Sequence, residues 1–527
     1  MKEYIWFLIY VAVKRYNAPT IYWNGYEMTT ILLINPPRIR PDMAVLRDEI
    51  CFQDVRYIPF PLRIAQLAAV LRQRFPNADI SLLDANALNL NYNMLEDSIP
   101  EADVVIFQSA AGIIKEDCTV ASIVKKINPA TKTVLIETVI SPIFAERFLA
   151  DFPAVDIVVQ GQPEVVVPNI IENLSDLSKA KGITYRTKTG CAHTGTAPFI
   201  QDMDALPFMA YDMLPMEKYS IGVLDTPMHE KIIPGIRMRT TRDCPYGCPF
   251  CIIGSHPHRG YDRKWKAMSP KRVVDEIEFA IREWGIWGFF FWDETYTYDM
   301  DRARAISEEI IKRRLRLEWR CLTRLDKVDK SLLELMSRSG CRQIEYGLES
   351  GDPEHRKQLH KNFPDSVAID AVCQTRKAGI KVNVDMIIGM PWENRHSLRK
   401  TLELAKKLNA DNIHLTMAFP YPATKFFELV KEENLLEIDD IYDLMIKQRV
   451  RIGAKAFVRT RHLSSKELEE GWKRVRSGIN KYYMIRKLVC EPASFFPLFS
   501  SCRNPGEVFH VLGNGARRVA RTLFPGE

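Results

Sequence analysis

Three shortages frame this sequence. Its first 192 residues contain no histidine, so that stretch can offer no imidazole to a metal or to proton transfer. Only one tight cysteine cluster occurs, and no second Cys-x-x-Cys follows it, whereas structural zinc sites usually pair two such knuckles. The apolar N-terminal stretch "YIWFLIYVAV" (Tyr4–Val13) has ten residues, short of the ~20 a membrane span needs. No clear small-residue cleavage site follows it, which argues against a secretory signal. Residues 1–27 read as an extension, with Met28 as a candidate start just before the first convincing strand. Eight of the eleven cysteines (Cys51, Cys118, Cys191, Cys321, Cys341, Cys373, Cys490, Cys502) are scattered. They form no disulfide framework and point to a reducing cytoplasm.

What is present is a long soluble-type chain with uneven charge. The 527 residues are 46% hydrophobic and 26% charged, enough for about three domains. The net charge is +7, yet residues 451–527 alone carry fifteen Lys/Arg and six Asp/Glu. An anionic partner would be felt there.

Residues 28–175 alternate short β-branched runs with helical patterns. The runs are Thr29–Pro37, Asp79–Asn86, Asp103–Ser109, Thr133–Thr138 and Asp156–Gly161, with helices such as Pro61–Phe75 between them. This predicts an α/β, doubly wound, Rossmann-like domain that binds ligands at its strand ends. Residues 176–230, with proline-bearing "DALPFMAYDMLP", read as a linker. From 231 to 425 the alternation resumes, with strands at Gly235–Thr241, Gly288–Glu294, Leu317–Arg324, Gln343–Ser350, Lys381–Pro391 and Asp411–Pro420. Six strands with intervening helices predict a partial (β/α)6 barrel whose chemistry lies at strand C-termini. Residues 426–527 read as a mainly helical, basic C-terminal region.

The tight cluster is "RDCPYGCPFC" (Arg242–Cys251), placed after the first strand of that barrel. Pro245, Gly247 and Pro249 keep the loop out of helix and let Cys244, Cys248 and Cys251 converge. Three thiolates suit a four-iron cluster with one iron left open. The alternative is zinc, with His256 or His258 as the fourth ligand.

Cys-x3-Cys-x2-Cys with an aromatic before the last cysteine resembles the signature of radical SAM enzymes. The resemblance covers residues 235–425 and includes "FFFWDETYTYD" (Phe289–Asp299), "GCRQIEYGLESG" (Gly340–Gly351) and "VDMIIGMPWEN" (Val384–Asn394). It implies a [4Fe–4S] cluster on Cys244, Cys248 and Cys251, with S-adenosylmethionine (SAM) on the open iron. It further implies SAM contacts from Phe250, Asp293, Glu294, Arg324, Glu349, Ser350 and Ile388. Glu294 could accept from the SAM amine, Arg324 could pair with its carboxylate, and Glu349 or Ser350 could bind ribose hydroxyls. A reductase with flavodoxin or ferredoxin would supply the electron.

The first domain resembles the cobalamin-binding domain of class B radical SAM enzymes, through "ILLINPP", "PLRIAQLAAVL" and "DIVVQGQPE". The resemblance implies a corrin over Asn35, Pro36 and Pro37, near Ser109, Glu137, Thr138, Gly161 and Glu164. Two departures stand out. No Asp-x-His-x-x-Gly motif is present, which implies cobalamin without a protein histidine on cobalt. Glu137-Thr138 also stands where relatives carry Gly-Gly, and glycines let backbone approach a ligand closely.

The group's leading activity is cobalamin-dependent methyl transfer to an unactivated carbon of a lipid or secondary-metabolite-type substrate. The same architecture also supports radical cyclisation, carbon–carbon coupling or oxidation. A non-catalytic Fe–S or zinc protein is the reading from a different class. The basic, aromatic-bearing segment Lys473–Val489 could touch an anionic membrane surface or pack on the barrel. Nucleic acid is not expected as a partner, since the cations lack a base-stacking pattern.

Overall fold

Strand "TILLIN" is buried at every position but its first, so it must lie inside a sheet covered on both faces. The structure, a computed structural model, describes residues 29–47, 53–137, 140–226, 229–255, 265–448 and 453–490. The expectations on residues 1–27, Thr138, His256, His258 and the stretch after residue 490 lie outside the described residues.

The first sheet comprises β1 (Thr30–Asn35), β2 (Asp79–Asp84), β3 (Val104–Gln108), β4 (Lys132–Ile136), β5 (Ile157–Val159), β6 (Ile183–Thr187) and β7 (Gly190–His193). Its order is β2-β1-β3-β4-β5-β6-β7, parallel through β5 and antiparallel beyond. Helices α1 (Leu62–Arg74) and α2 (Pro163–Glu172) cover one face. The order reverses between β1 and β3, the kind of switch point at which doubly wound sheets bind ligands. The expected linker is only partly one. Residues 183–193 extend the first sheet at the β5 edge, where unpaired backbone would otherwise be exposed.

The second sheet runs β8 (Ser220–Thr226), β9 (His229–Met238), β10 (Gly288–Phe291), β11 (Glu318–Thr323), β12 (Cys341–Glu349), β13 (Lys381–Ile388), β14 (Asn412–Met417), in that order. After the antiparallel β8–β9 hairpin, all pairs from β9 to β14 are parallel. This is the expected six-stranded partial barrel with one added edge strand. Its helices include α3 (Pro270–Trp284), α4 (Met300–Lys312) and α5 (Arg395–Leu408). Ser269 caps α3 and Gly285 ends it in the left-handed conformation that glycine allows.

The C-terminal region ties the two sheets together. Gly112 N donates to Met445 O at 2.8 Å, and Tyr442 Oη donates to Asp151 at 2.8 Å. The basic segment lies in α6 (Ser465–Cys490), and its apolar face packs on the barrel. Tyr483 Oη donates to Ala405 O, and Trp472 Nε1 donates to Leu415 O. Among the described residues no helix is long and apolar enough to cross a membrane.

Candidate functional site: a cysteine loop facing an interdomain cleft

The loop leaves β9 and is clamped at its root. Asp293, two residues past the end of β10, is 1% exposed. It accepts from Thr240 N (2.7 Å), Thr240 Oγ1 (2.5 Å) and Thr241 N (2.8 Å). Arg302 of α4 adds a bond to Thr240 Oγ1 at 2.8 Å. A buried carboxylate must be fully hydrogen-bonded, and Asp293 spends its oxygens on the backbone that launches the loop. It is therefore a loop-positioning group and does not face the cleft as expected.

Beyond the clamp, Cys244 Sγ lies 3.8 Å from Thr295 Oγ1. Cys251 N donates to Cys248 O, and Pro249 O accepts from Phe426 N. Phe250 packs beside Met390, Trp392 and Phe426. Burial pushes the Cys244 and Cys248 thiols above their ordinary range, and Lys361 and Arg324 pull Cys248 back down. None of the three is in a disulfide.

Among the described residues no three His, Cys, Asp or Glu side chains stand close enough to share one metal ion. A lone zinc holds each thiolate sulfur at about 2.3 Å from one centre. A four-iron cluster spreads its thiolates over separate irons.

The remaining expected SAM contacts are scattered in role. Arg324 forms a bidentate pair with Asp326 (2.8 and 2.9 Å) and lies 4.0 Å over the Tyr246 ring. Glu349 holds a left-handed φ of 73° and pairs with Lys361 at 2.6 Å. Lys361 also donates to Gly347 O, and a Cβ at Gly347 would meet both Glu349 Oε1 and Lys361 Nζ. Ser350 is buried, and its Oγ accepts from Asp352 N. Ile388 is buried in the core between sheet and helices, while Ile387 packs against the same cluster of Leu359, Met390 and Phe426 as Phe250. Strand alternation turns these two neighbours to opposite faces, so Ile388 does not face the loop. Glu294 is half-buried and lines the cleft beside Cys244.

The cleft lies between the two domains. Gln160–Glu164, at the end of β5, forms one wall, and Arg239–Asp243 with Glu294 forms the other. Glu164 and Arg242 bridge it at 2.7 Å, both largely buried. Burial alone would raise the Glu164 carboxyl, but Arg242 and Arg239 outweigh it and hold the group below its ordinary range. Gly161 adopts φ 145° and leaves this rim without a side chain.

Other strand-end groups of the first domain are committed within the protein. Asn35 donates to Asp84 at 2.8 Å and accepts from Gln108 at 2.9 Å. Ser109 donates to Asp117 at 2.7 Å, and Arg47 binds Asp117, Pro36 O and Pro37 O. These are the partners that two buried carboxylates require, so Asn35 and Ser109 do not offer side chains to a ligand as expected. Glu137 is buried, at 3% exposure.

Pattern reading missed Arg242, Lys361 and Thr240. Arg242 stands inside the quoted motif and carried a signal as the charged residue next to Asp243-Cys244. Lys361 and Thr240 carried none, because their roles come from folding brought about by distant segments.

Residues 238–405 match the family model described as the Radical SAM superfamily. An uncharacterized methyltransferase of Pyrococcus horikoshii is 27% identical over 436 residues, covering 81% of this chain and 89% of that protein. The anaerobic magnesium-protoporphyrin IX monomethyl ester cyclase of Rubrivivax gelatinosus is 26% identical, covering 70% of this chain and 66% of the cyclase. Among solved structures, the cobalamin-dependent S-adenosylmethionine radical enzyme OxsB superposes with a TM-score of 0.67 at 17% identity, over 94% of this chain and 72% of that one. The barrel that presents the cysteine loop is a radical SAM domain, and the chain as a whole shares the two-domain fold of a cobalamin-dependent radical SAM enzyme.

Proposed function

We propose that this chain is a radical SAM enzyme that transfers a methyl group to an unactivated carbon, with a [4Fe–4S] cluster on Cys244, Cys248 and Cys251 and cobalamin on the first domain. When bound, the cluster supplies the electron that cleaves SAM, and cobalamin supplies a carrier for the methyl group. The observation that carries this reading is the bridged cleft, in which the cysteine loop and the ligand edge of a doubly wound domain face each other across Glu164–Arg242.

Each of the chain's own residues then has a task. Asp293 and Arg302 fix the root of the loop that carries the three cysteines. Glu294 is the cleft carboxylate suited to accept from the SAM amine. Phe250 and its apolar neighbours shield one side of the loop from water. Backbone near Gly161 and the cleft rim would meet the corrin, since Asn35 and Ser109 are spent on Asp84 and Asp117. The reading further includes a flavodoxin- or ferredoxin-type donor.

The matched cyclase supports a second outcome, in which the same radical closes a ring or oxidises its substrate. One assay separates them. Anaerobically reconstituted protein with cobalamin, SAM and reductant should release 5′-deoxyadenosine and S-adenosylhomocysteine in about equal amounts if it methylates. Deoxyadenosine without homocysteine product leaves the second outcome. Neither product with any reductant would sink both.

A further inference from the structure

The inward face of this barrel carries charge where a closed barrel carries packed aliphatics. Register places Arg237, Phe290, Arg320 and Gln343 in one layer across β9, β10, β11 and β12. Their chain neighbours Ile236, Met238, Phe289, Phe291, Trp319 and Ile344 all pack toward the helices. Alternation therefore turns the four inward. Further toward the strand C-termini come Glu345, level with Leu322, and then Asp385, level with His414. His414 Nδ1 lies 3.3 Å from Asp385 Oδ1.

Arg320 is one group whose hydrogen bonding the described residues leave incomplete. It is 7% exposed, and its Nε, shut from solvent, has no hydrogen-bond partner among the described residues. Its guanidinium lies 3.8 Å from the Phe290 ring centroid. Arg237 flanks the same ring at 5.3 Å and lies 4.2 Å from Trp292. Two guanidinium groups thus share one aromatic wall.

Glu345, further along the lumen, holds its proton more tightly than an ordinary carboxyl. Burial, and then Asp385, push the Glu345 carboxyl up to about 8, against the pull of Arg320 and His414. The groups facing Glu345 are thus Arg320 on β11, Asp385 on β13 and His414 on β14, with Arg476 of α6 acting on His414.

We propose that the barrel lumen is a binding subsite for an anionic group, a carboxylate or a phosphate, taken by the guanidinium fork of Arg320 with Arg237 beside it. The fork suits both anions, because its planar donors match two oxygens at once. Calling the ligand a substrate rests on the radical SAM reading. On that reading the substrate is a polar, anion-bearing molecule and not a plain hydrocarbon.

The test titrates the full-length chain, without SAM or reductant, with sodium acetate and with inorganic phosphate in a calorimeter. Arg320→Gln should weaken binding of the preferred anion by about tenfold to a hundredfold. Arg320→Lys, which keeps the charge and loses the fork, should fall between. Wild-type affinity should drop as pH rises through about 8, where the ionised Glu345 claims Arg320, and Glu345→Gln should flatten that drop. Preference for acetate identifies a carboxylate ligand, and preference for phosphate a phosphate. Equal affinities for wild type and both folded Arg320 variants overturn the subsite and leave the radical reading standing. Absence of 5′-deoxyadenosine from the wild-type assay overturns the radical reading and leaves the subsite standing.

Discussion

At Cys248 two demands meet. The thiol must be shielded from water, yet it must lose its proton to bind metal. Burial raises its pKa, and the Lys361 cation lowers it. Removing that cation in Lys361→Met should move cluster loading to higher pH, because the thiolate then forms only at higher pH. Iron content after anaerobic reconstitution across pH 7–9 checks this, and an unchanged profile counts against it. The same variant leaves Glu349 buried without its partner, which costs about 3–5 kcal/mol and should show in chemical denaturation. Cys248→Ala should lose the cluster. Cys321→Ala should keep it, since Cys321 is 1% exposed in the core behind the sheet. Iron loss in folded Cys321→Ala would show that the ligands are misassigned.

At the scale of elements, the strands were legible because parallel strands buried on both faces read as short apolar runs. Every expected strand position from Thr30 to Met417 holds one. The inward and outward assignments were less legible. Ile388 and Ile387 look alike in sequence, and only the pleat separates core from loop side. Asp293 and Asn35 looked like ligand groups because both end strands, but the partners that claim them, Thr240 and Asp84, come from other segments. Residues 183–187 were hidden because this short strand is buried at only its first two positions and shows no apolar run. Gly351 makes a close approach to α5. A Cβ there would lie 2.3 Å from Thr401 Cα and 2.6 Å from Lys400 O. Both are backbone atoms of α5 and cannot rotate away. Gly351→Ala should therefore displace α5 and cost about 1–3 kcal/mol, as overpacking does. Denaturant midpoints equal to wild type would refute the contact.

For the whole molecule, chemistry across the cleft depends on how firmly the two domains are held at that spacing. Glu164–Arg242 is the ion pair that joins the ligand edge of the first domain to the root of the cysteine loop. Buried pairs are costly to break singly, because the survivor stays desolvated and unpaired. Glu164→Gln and Arg242→Met should each cost about 3–5 kcal/mol, and the double variant should cost less than their sum by about 1–3 kcal/mol. Strictly additive costs would mean that the two residues act independently. The pair also sets a pH limit. Glu164 titrates below its unbound value of 4.5 in the folded chain, so its contribution is complete above that value and is lost as pH falls through the lowered one. Acid should therefore loosen the domains before it unfolds either sheet, and Glu164→Gln should remove that early acid transition. Small-angle scattering between pH 3 and 7 reads it directly, as an increase in radius of gyration that wild type shows and the variant, already loosened at neutral pH, does not.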